Sequence, residues 1–368
     1  MDWTAGDISC EVEQDMGRGS EPWAWMALLA RPGSGVQAAR RDVVMGGNAV
    51  NAWNRWESGN RVAAVDVGSR VDHQVEALQI LGAWVVLWTD ATYPWLLREI
   101  HDPPPVLFGL GRLAENRAWA RGLSVVGTRA CQPRGVDWAS EVARDWQEAG
   151  GTVVSGLARG IDAAAHRAAL DDTVAVLPCG LDAIHPAIHA PLAAEIVARG
   201  GLLLTEQPPG ASVERWMFAA RNRLVTGLTP ATLVVQSPAR GGSLISAQCA
   251  LDQNREVYAM WDPAMGTSWS GNRFLVWSGA AQGVRNPTHL YHVMSGSQPA
   301  WQETPLRGVT EAPWLKDVWC ALDGRKGMHP NRLAQQCGLD EGMLGQALFS
   351  LESRGLARRT WGGKWLRC

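Results

Sequence analysis

At 368 residues the chain is long for one compact unit, and at about 150 residues per domain it predicts two or three. Its 46% hydrophobic and 19% charged residues suffice for a sizeable core and exclude general disorder, while a formal net charge of −2 excludes a global attraction to polyanions, so any nucleic-acid surface must be a local cluster. No apolar run approaches the ~18 residues of a membrane helix and Met1 to Asp7 lack a signal peptide's basic start, so a soluble, cytoplasmic protein is expected.

The seven cysteines are widely spread and never form a C-x-x-C pair, which suggests neither a zinc ribbon nor a disulfide framework and fits a reducing compartment. Lysine occurs only at 316, 326 and 364, so arginine, whose planar donor fork suits phosphate, carries nearly all the positive charge. The 20 tryptophans against 3 tyrosines and 4 phenylalanines suggest that Trp fills slots other proteins give to Phe or Tyr.

Residues 1–20 are polar and aperiodic and read as a disordered tail. Over 21–79, Trp23, Met26, Ala27 and Leu29 recur at helical spacing, Pro32-Gly33-Ser34-Gly35 breaks the chain, and Val36 to Arg40 restart it. This predicts a small helical domain of helix-hairpin-helix type, whose glycine turn could aim amides at a phosphate.

Over 80–292, short uninterrupted apolar runs are predicted strands: 83–88, 123–127, 152–155, 173–177, 202–204, 232–235 and 256–260. Such runs separated by helix-like segments imply an α/β fold, a mostly parallel Rossmann-like sheet with helices on both faces. A ligand would then lie outside the carboxyl ends of the strands. Residues 293–312 read as a linker. Over 313–368, helices at 314–322, 331–337 and 341–354 precede a strand pair, 356–360 and 364–367, turning at Gly362-Gly363, which is the plan of a winged helix.

Four turns carry the chemistry: Gly127-Thr128-Arg129, Ser155 to His166 with Gly156, Arg159 and Gly160, Phe218 to Arg223 with Arg221, Asn222 and Arg223, and Arg240-Gly241-Gly242-Ser243-Leu244. The first, second and fourth set glycine or a hydroxyl beside arginine, the third brings two arginines around an asparagine, and all are expected near a helix start. That is an anion site: glycine admits close approach to backbone amides, the helix N-terminus supplies free N–H groups, and arginine adds charge. A single such turn can simply fold the helix back; four on one sheet edge strengthen the joint case.

These motifs resemble the bacterial DNA-processing protein A family (DprA, or Smf). Ser155-Gly156-Leu157-Ala158-Arg159-Gly160-Ile161-Asp162-Ala163-Ala164-Ala165-His166 is similar to its most specific signature. Arg221-Asn222-Arg223 and Gly242-Ser243-Leu244 follow in order, after Tyr93-Pro94 and Asp102-Pro103-Pro104. The resemblance implies a homodimer that binds single-stranded DNA in a basic pocket and loads the RecA recombinase during natural transformation, with neither cofactor nor metal. By motif position, Arg129 would hold phosphates, framed by Gly127 and Thr128, and Arg159, Arg221, Arg223 and Ser243 would extend the pocket. The chain departs from the family at Asp172, where a lysine is common, at Pro178, His185-Pro186, Thr205-Glu206 and Gln236, and at Met260-Trp261-Asp262.

Rival readings are weaker. Asp162 and His166 share a helix face and with Ser155 mimic a hydrolase triad, but the nucleophile-elbow glycine is missing, and a cap plus a hydrogen bond is the expected role. His185 and His189 beside Asp182 and Cys179 invite a metal, yet Pro186 interrupts the spacing and a surface loop is expected. A nucleotide-binding phosphoribohydrolase would need a glutamate where Gln248 or Cys249 stands. A winged-helix regulator draws support from nine Lys or Arg against six Asp or Glu over 311–368, with Arg358, Arg359, Lys364 and Arg367 on the wing.

Overall fold

The computed structural model describes residues 15–32, 36–113, 119–211, 213–261, 265–294, 314–322, 327–353, 356–360 and 364–367. Four helices open the chain: α1 (Glu21–Ala30), α2 (Val36–Gly46), α3 (Ala49–Gly59) and α4 (Arg61–Leu81). Ser20 caps α1 by accepting the Trp23 N–H at 3.4 Å, and Pro22 sits in its first turn, where no donor is lost. Residues Pro22 to Leu28 are all buried, because α1 is apolar all round and packs between the other helices and the sheet.

Residues 15–20 of the expected tail pack against the helices. Met16 is buried and Arg18 pairs with Asp72 at 2.6 Å while lying over the Trp23 ring. Residues 1–14 and the turn Gly33-Ser34-Gly35 fall outside the described residues. Nor do the four helices keep a core of their own: Trp23, Leu28, Val67 and Leu78 share one apolar cluster with Val85, Leu87, Phe108 and Leu203 of the sheet.

The sheet has nine strands: β1 (Trp84–Leu87), β2 (Val106–Gly111), β3 (Gly122–Val126), β4 (Thr152–Ser155), β5 (Thr173–Val176), β6 (Leu202–Thr205), β7 (Ala231–Val234), β8 (Glu256–Met260) and β9 (Gln282–Val284). Their order is β1-β2-β6-β5-β4-β3-β7-β8-β9, parallel from β6 to β9, with β2 antiparallel to β6 and β1 antiparallel to β2. All seven predicted runs are strands. β2 and β9 were not expected: β2 contains two glycines behind a run of prolines, and β9 is three residues long. Gly109 of β2 faces Trp84 across the ladder, and the indole occupies the space a side chain would need.

Helices α5 (Trp95–Arg98), α6 (Pro133–Glu148), α7 (Ile161–Ala168), α8 (Ala190–Ala198), α9 (Arg215–Gly227), α10 (Gly242–Asp252), α11 (Ser270–Trp277) and α12 (Pro287–Met294) complete a Rossmann-like α/β unit. From β3 the chain steps outward through β4, β5 and β6, then crosses back to set β7 on the other side of β3. The loops after β3 and β7 therefore flank the point where strand order reverses, the usual place for a ligand crevice in such sheets.

At the C-terminal end, α13 (Trp314–Ala321), α14 (Pro330–Cys337) and α15 (Glu341–Ser353) precede the antiparallel pair β10 (Ala357–Arg359) and β11 (Trp365–Arg367), in the predicted order. Leu315, Val318, Leu333, Leu344, Leu348, Leu351 and Leu356 form its core. Of the expected linker, Val293 and Met294 instead close α12, with Val293 buried; residues 295–312 and the turn Gly362-Gly363 lie outside the described residues.

Tryptophan is a core residue here: Trp23, Trp119 and Trp269 are fully buried. Several indole N–H groups find acceptors, Trp23 on Asp72, Trp84 on Gly111 O and Trp269 on Gln132. Among the described residues, no helix is long and apolar enough to cross a membrane.

Candidate nucleic-acid interface

Three loops at the carboxyl edge are zipped together by their backbones. After β3, the Thr128 N–H donates to Gln236 O at 2.8 Å, and Thr128 O accepts the Ile161 N–H at 3.4 Å, joining the loops that follow β3, β7 and β4. Gln236 is fully buried, and its Oε1 accepts the Gln132 N–H at 2.9 Å at the start of α6. Gly127 lies against the Ile161 side chain with no room for a Cβ. Gly160 precedes α7 at φ 82 and ψ −123, and a Cβ there would meet Thr128 O and lie 2.9 Å from Arg129 O. Only glycine fits that conformation and that approach.

Closing these loops leaves Arg129 and Arg159 outside, both exposed. The Arg129 guanidinium lies 5.2 Å from the Phe218 ring centroid, and that ring meets His185 edge-on at 5.2 Å. Phe218 is half-buried in the first turns of α9, so one aromatic ring sits directly beneath an exposed cation.

Behind this surface lies a buried polar layer. Asp162 does not cap α7: Gly160 holds the N-cap position, and Asp162, one place inside the helix, reaches back to accept the Ala158 N–H at 3.4 Å. Burial pushes the Asp162 carboxyl above its usual range, opposed by the Arg221 guanidinium, while burial pulls Arg221 down, opposed by Asp162. Arg221 is 5% exposed, and its Nη1 donates to Gly156 O and Val176 O. It ties the end of β5 to the turn after β4 and cannot present itself to a phosphate from there.

His166 and Asp162 are not bonded as a pair either. The Thr173 hydroxyl gives its hydrogen to Val153 O at 2.9 Å, so it accepts from His166 Nδ1–H at 2.8 Å. The other ring nitrogen is then free to accept the Leu157 N–H at 3.3 Å. Leu157 O in turn accepts from His189 Nδ1 at 2.8 Å. Leu157 sits at φ 55, in the left-handed region costly for a branched side chain, and two histidines hold its peptide there. His189 is therefore buried, where a surface loop was expected.

Burial holds the His166 pKa down at about 3, from an ordinary 6.5, with Arg221 adding to the effect. Between those values the unfolded chain binds a proton that the folded chain refuses, so stability rises with pH and is lost as pH falls from 6.5 toward 3. We expect urea midpoints to fall between pH 7 and pH 5, and to fall less in His166→Gln, by up to one proton or about 1.4 kcal/mol per pH unit. Equal pH dependence in the two proteins would show that His166 is not the group responsible.

The remaining expected site residues divide by accessibility. Arg223 pairs with Asp102 at 3.0 Å and Glu206 at 2.5 Å and is 17% exposed, so its charge is neutralised within the fold. Asn222 is half-buried beside it. Gly242 is exposed at the start of α10, but the Ser243 hydroxyl turns inward onto Ser237 Oγ at 2.9 Å. Asp172, where the resemblance leads to the expectation of a lysine, accepts from the Thr152 hydroxyl at 2.9 Å at the amino ends of β4 and β5. It therefore removes no cation from the carboxyl edge. Two residues given no role from the sequence join the surface: Phe218, named there only as the start of the third segment, and Arg134 in the first turn of α6, exposed and 4.9 Å from the Trp138 ring centroid.

Fold and site together define a Rossmann-like α/β protein whose carboxyl edge exposes arginines, one of them over an aromatic ring. The family model for DNA recombination-mediator protein A matches residues 84–295, and the chain belongs to that family. The putative DNA processing protein DprA of Mycobacterium tuberculosis is 33% identical over 359 residues, 91% of each chain. Protein Smf of Synechocystis is 44% identical over 176 residues, which cover 46% of this chain and 44% of that one. Among solved structures, DNA processing protein A from Helicobacter pylori, described in its single-stranded DNA binding mode, has a TM-score of 0.53 at 26% identity, covering 58% of this chain and 96% of its own.

Proposed function

We propose that single-stranded DNA lies across the carboxyl edge, its phosphates on Arg129, Arg159 and Arg134, with a base placed against Phe218. The observation that carries this is the exposed Arg129 guanidinium over an aromatic ring, on glycine-closed loops where strand order reverses. The H. pylori relative, which binds single-stranded DNA, supports it. Phosphate contact and stacking carry little sequence information, so binding is largely sequence-independent.

On this reading the protein is a non-catalytic mediator that delivers strands to the RecA recombinase in the cytoplasm during natural transformation, acting as a homodimer. The triad-like residues support a non-catalytic role, since the Ser155 hydroxyl donates to Val125 O at 2.6 Å and His166 is engaged elsewhere. We also read the first helices as helix-hairpin-helix-like and the C-terminal unit as a winged helix. Its third helix, α15, carries no Lys or Arg and exposes Phe349, a poor major-groove reader. Arg358, Arg359 and Lys364 are exposed, but Arg367, expected on the wing, is buried 4.6 Å from the Trp319 ring centroid.

The test is binding of a labelled oligonucleotide, single-stranded against duplex, across a salt series. Three neutralised phosphates give a slope of log K against log salt of about −2.1, at roughly −0.7 per contact, against about −2.8 for the four arginines of the motif set. A slope near zero, or a preference for duplex, would overturn the reading.

A further inference from the structure

The fourth of the singled-out segments, the turn at Arg240-Gly241-Gly242, is in contact with the C-terminal unit. Phe274 of α11 stacks on Trp319 of α13, with ring centroids 4.2 Å apart and planes 4° from parallel. Ala239 and Leu244, which flank the turn, pack against the same C-terminal core, as does Trp277. Arg240 Nη2 donates to Leu322 O at 2.9 Å, so the cation of this turn serves the carbonyl end of α13, where positive charge is favoured.

That turn belongs to the loop after β7, which is bonded to the loop carrying Arg129 through Thr128 and Gln236. A strand extending from Arg129 toward the start of α10 therefore meets Arg240 and the docked unit. Contacts of this kind between units of one chain are modest and open readily.

We propose that the C-terminal unit is an intramolecular gate on the strand-binding edge: docked, it holds Arg240 on Leu322 and covers the flank of the fourth turn, and it leaves when a strand extends there. This rests on the reading of the carboxyl edge as a single-stranded DNA site. Docking and strand binding then compete for one loop, and the apparent affinity is reduced by the fraction of molecules that are open.

The test uses the full chain and a labelled oligothymidylate long enough to pass both Arg129 and Arg240. Phe274→Ala and Trp319→Ala remove the stack from opposite sides, and each is expected to tighten binding about 5- to 10-fold if the unit is docked in about 80–90% of molecules. Hydrogen exchange supplies a second readout: adding the oligonucleotide to the unaltered protein should speed exchange in 314–322. Because Trp319 also lies in the C-terminal core, Phe274→Ala decides the matter should Trp319→Ala melt that unit, and Trp319→Ala decides it should α11 be disturbed. Unchanged or weaker binding in the folded variants, or slower exchange in 314–322 on adding DNA, would overturn the gate. Arg129→Ala in the same series separates the two ideas: if it binds like the unaltered protein, the edge itself is not the site. If it binds weakly while Phe274→Ala is unchanged, the gate alone fails.

Discussion

Arg129→Ala should weaken binding of single-stranded DNA by roughly 10- to 150-fold, with no change in melting temperature. A charge-assisted hydrogen bond to phosphate contributes about 1.5–3 kcal/mol, which converts to that range. Stability should hold because the side chain is exposed and lies over the Phe218 ring at the surface. Arg129→Lys keeps the charge but loses the planar fork, so its affinity should fall between the two. The salt slope should also shrink by about 0.7 in Arg129→Ala, one contact's worth. Competition anisotropy with a thermal melt checks all three; unaltered affinity in a folded variant would remove Arg129 from the site.

Much of this was legible in the chain itself. Parallel strands buried on both faces must be continuous apolar runs, and Val153, Val174, Leu203 and Leu233 are all fully or almost fully buried. The turns were visible because a helix folding back on such a strand needs glycine, and glycine beside arginine is a recognisable pairing. The departure at Asp172 reads along the chain as the loss of a cation that would weaken DNA affinity, yet it precedes β5 and bonds Thr152 at the amino edge of the sheet. Its loss of charge thus concerns the face opposite the site.

What was not legible is which arginine faces water. Arg129 and Arg159 follow glycines in loops, whereas Phe218 to Arg223, expected as a turn, lie inside α9, and the fates of all four arginines depend on partners brought from elsewhere by the fold. Arg223 meets Asp102 and Glu206 from loops near β2 and β6, and Arg221 finds carbonyls at the ends of β4 and β5. Sequence spacing along α9 carries none of this. Phe218 had a weak signal, an aromatic among alanines just ahead of Arg221; its value appears only once Arg129 is seen above it.

The division between the two kinds of arginine leads to the largest stability effect. Arg221→Met should destabilise the protein by about 2–6 kcal/mol, because it leaves two buried carbonyls, Gly156 O and Val176 O, without their donor at roughly 1–3 kcal/mol each, and removes the cation that opposes the effect of burial on Asp162. The double variant Arg221→Met/Asp162→Asn removes both charges and should recover part of the loss, so the two substitutions are non-additive. Urea midpoints of the four proteins measure this coupling. Arg221→Met should also bind strands less well even where it folds, since Arg221 fixes the turn that carries Arg159; the cause is positional, and the salt slope should stay near that of the unaltered protein. Should Arg221→Met instead unfold with the unaltered protein and lose one contact from its salt slope, the side chain would have to leave its carbonyls and reach phosphate. The buried tie between β4 and β5 would then be a resting state of a fourth binding arm.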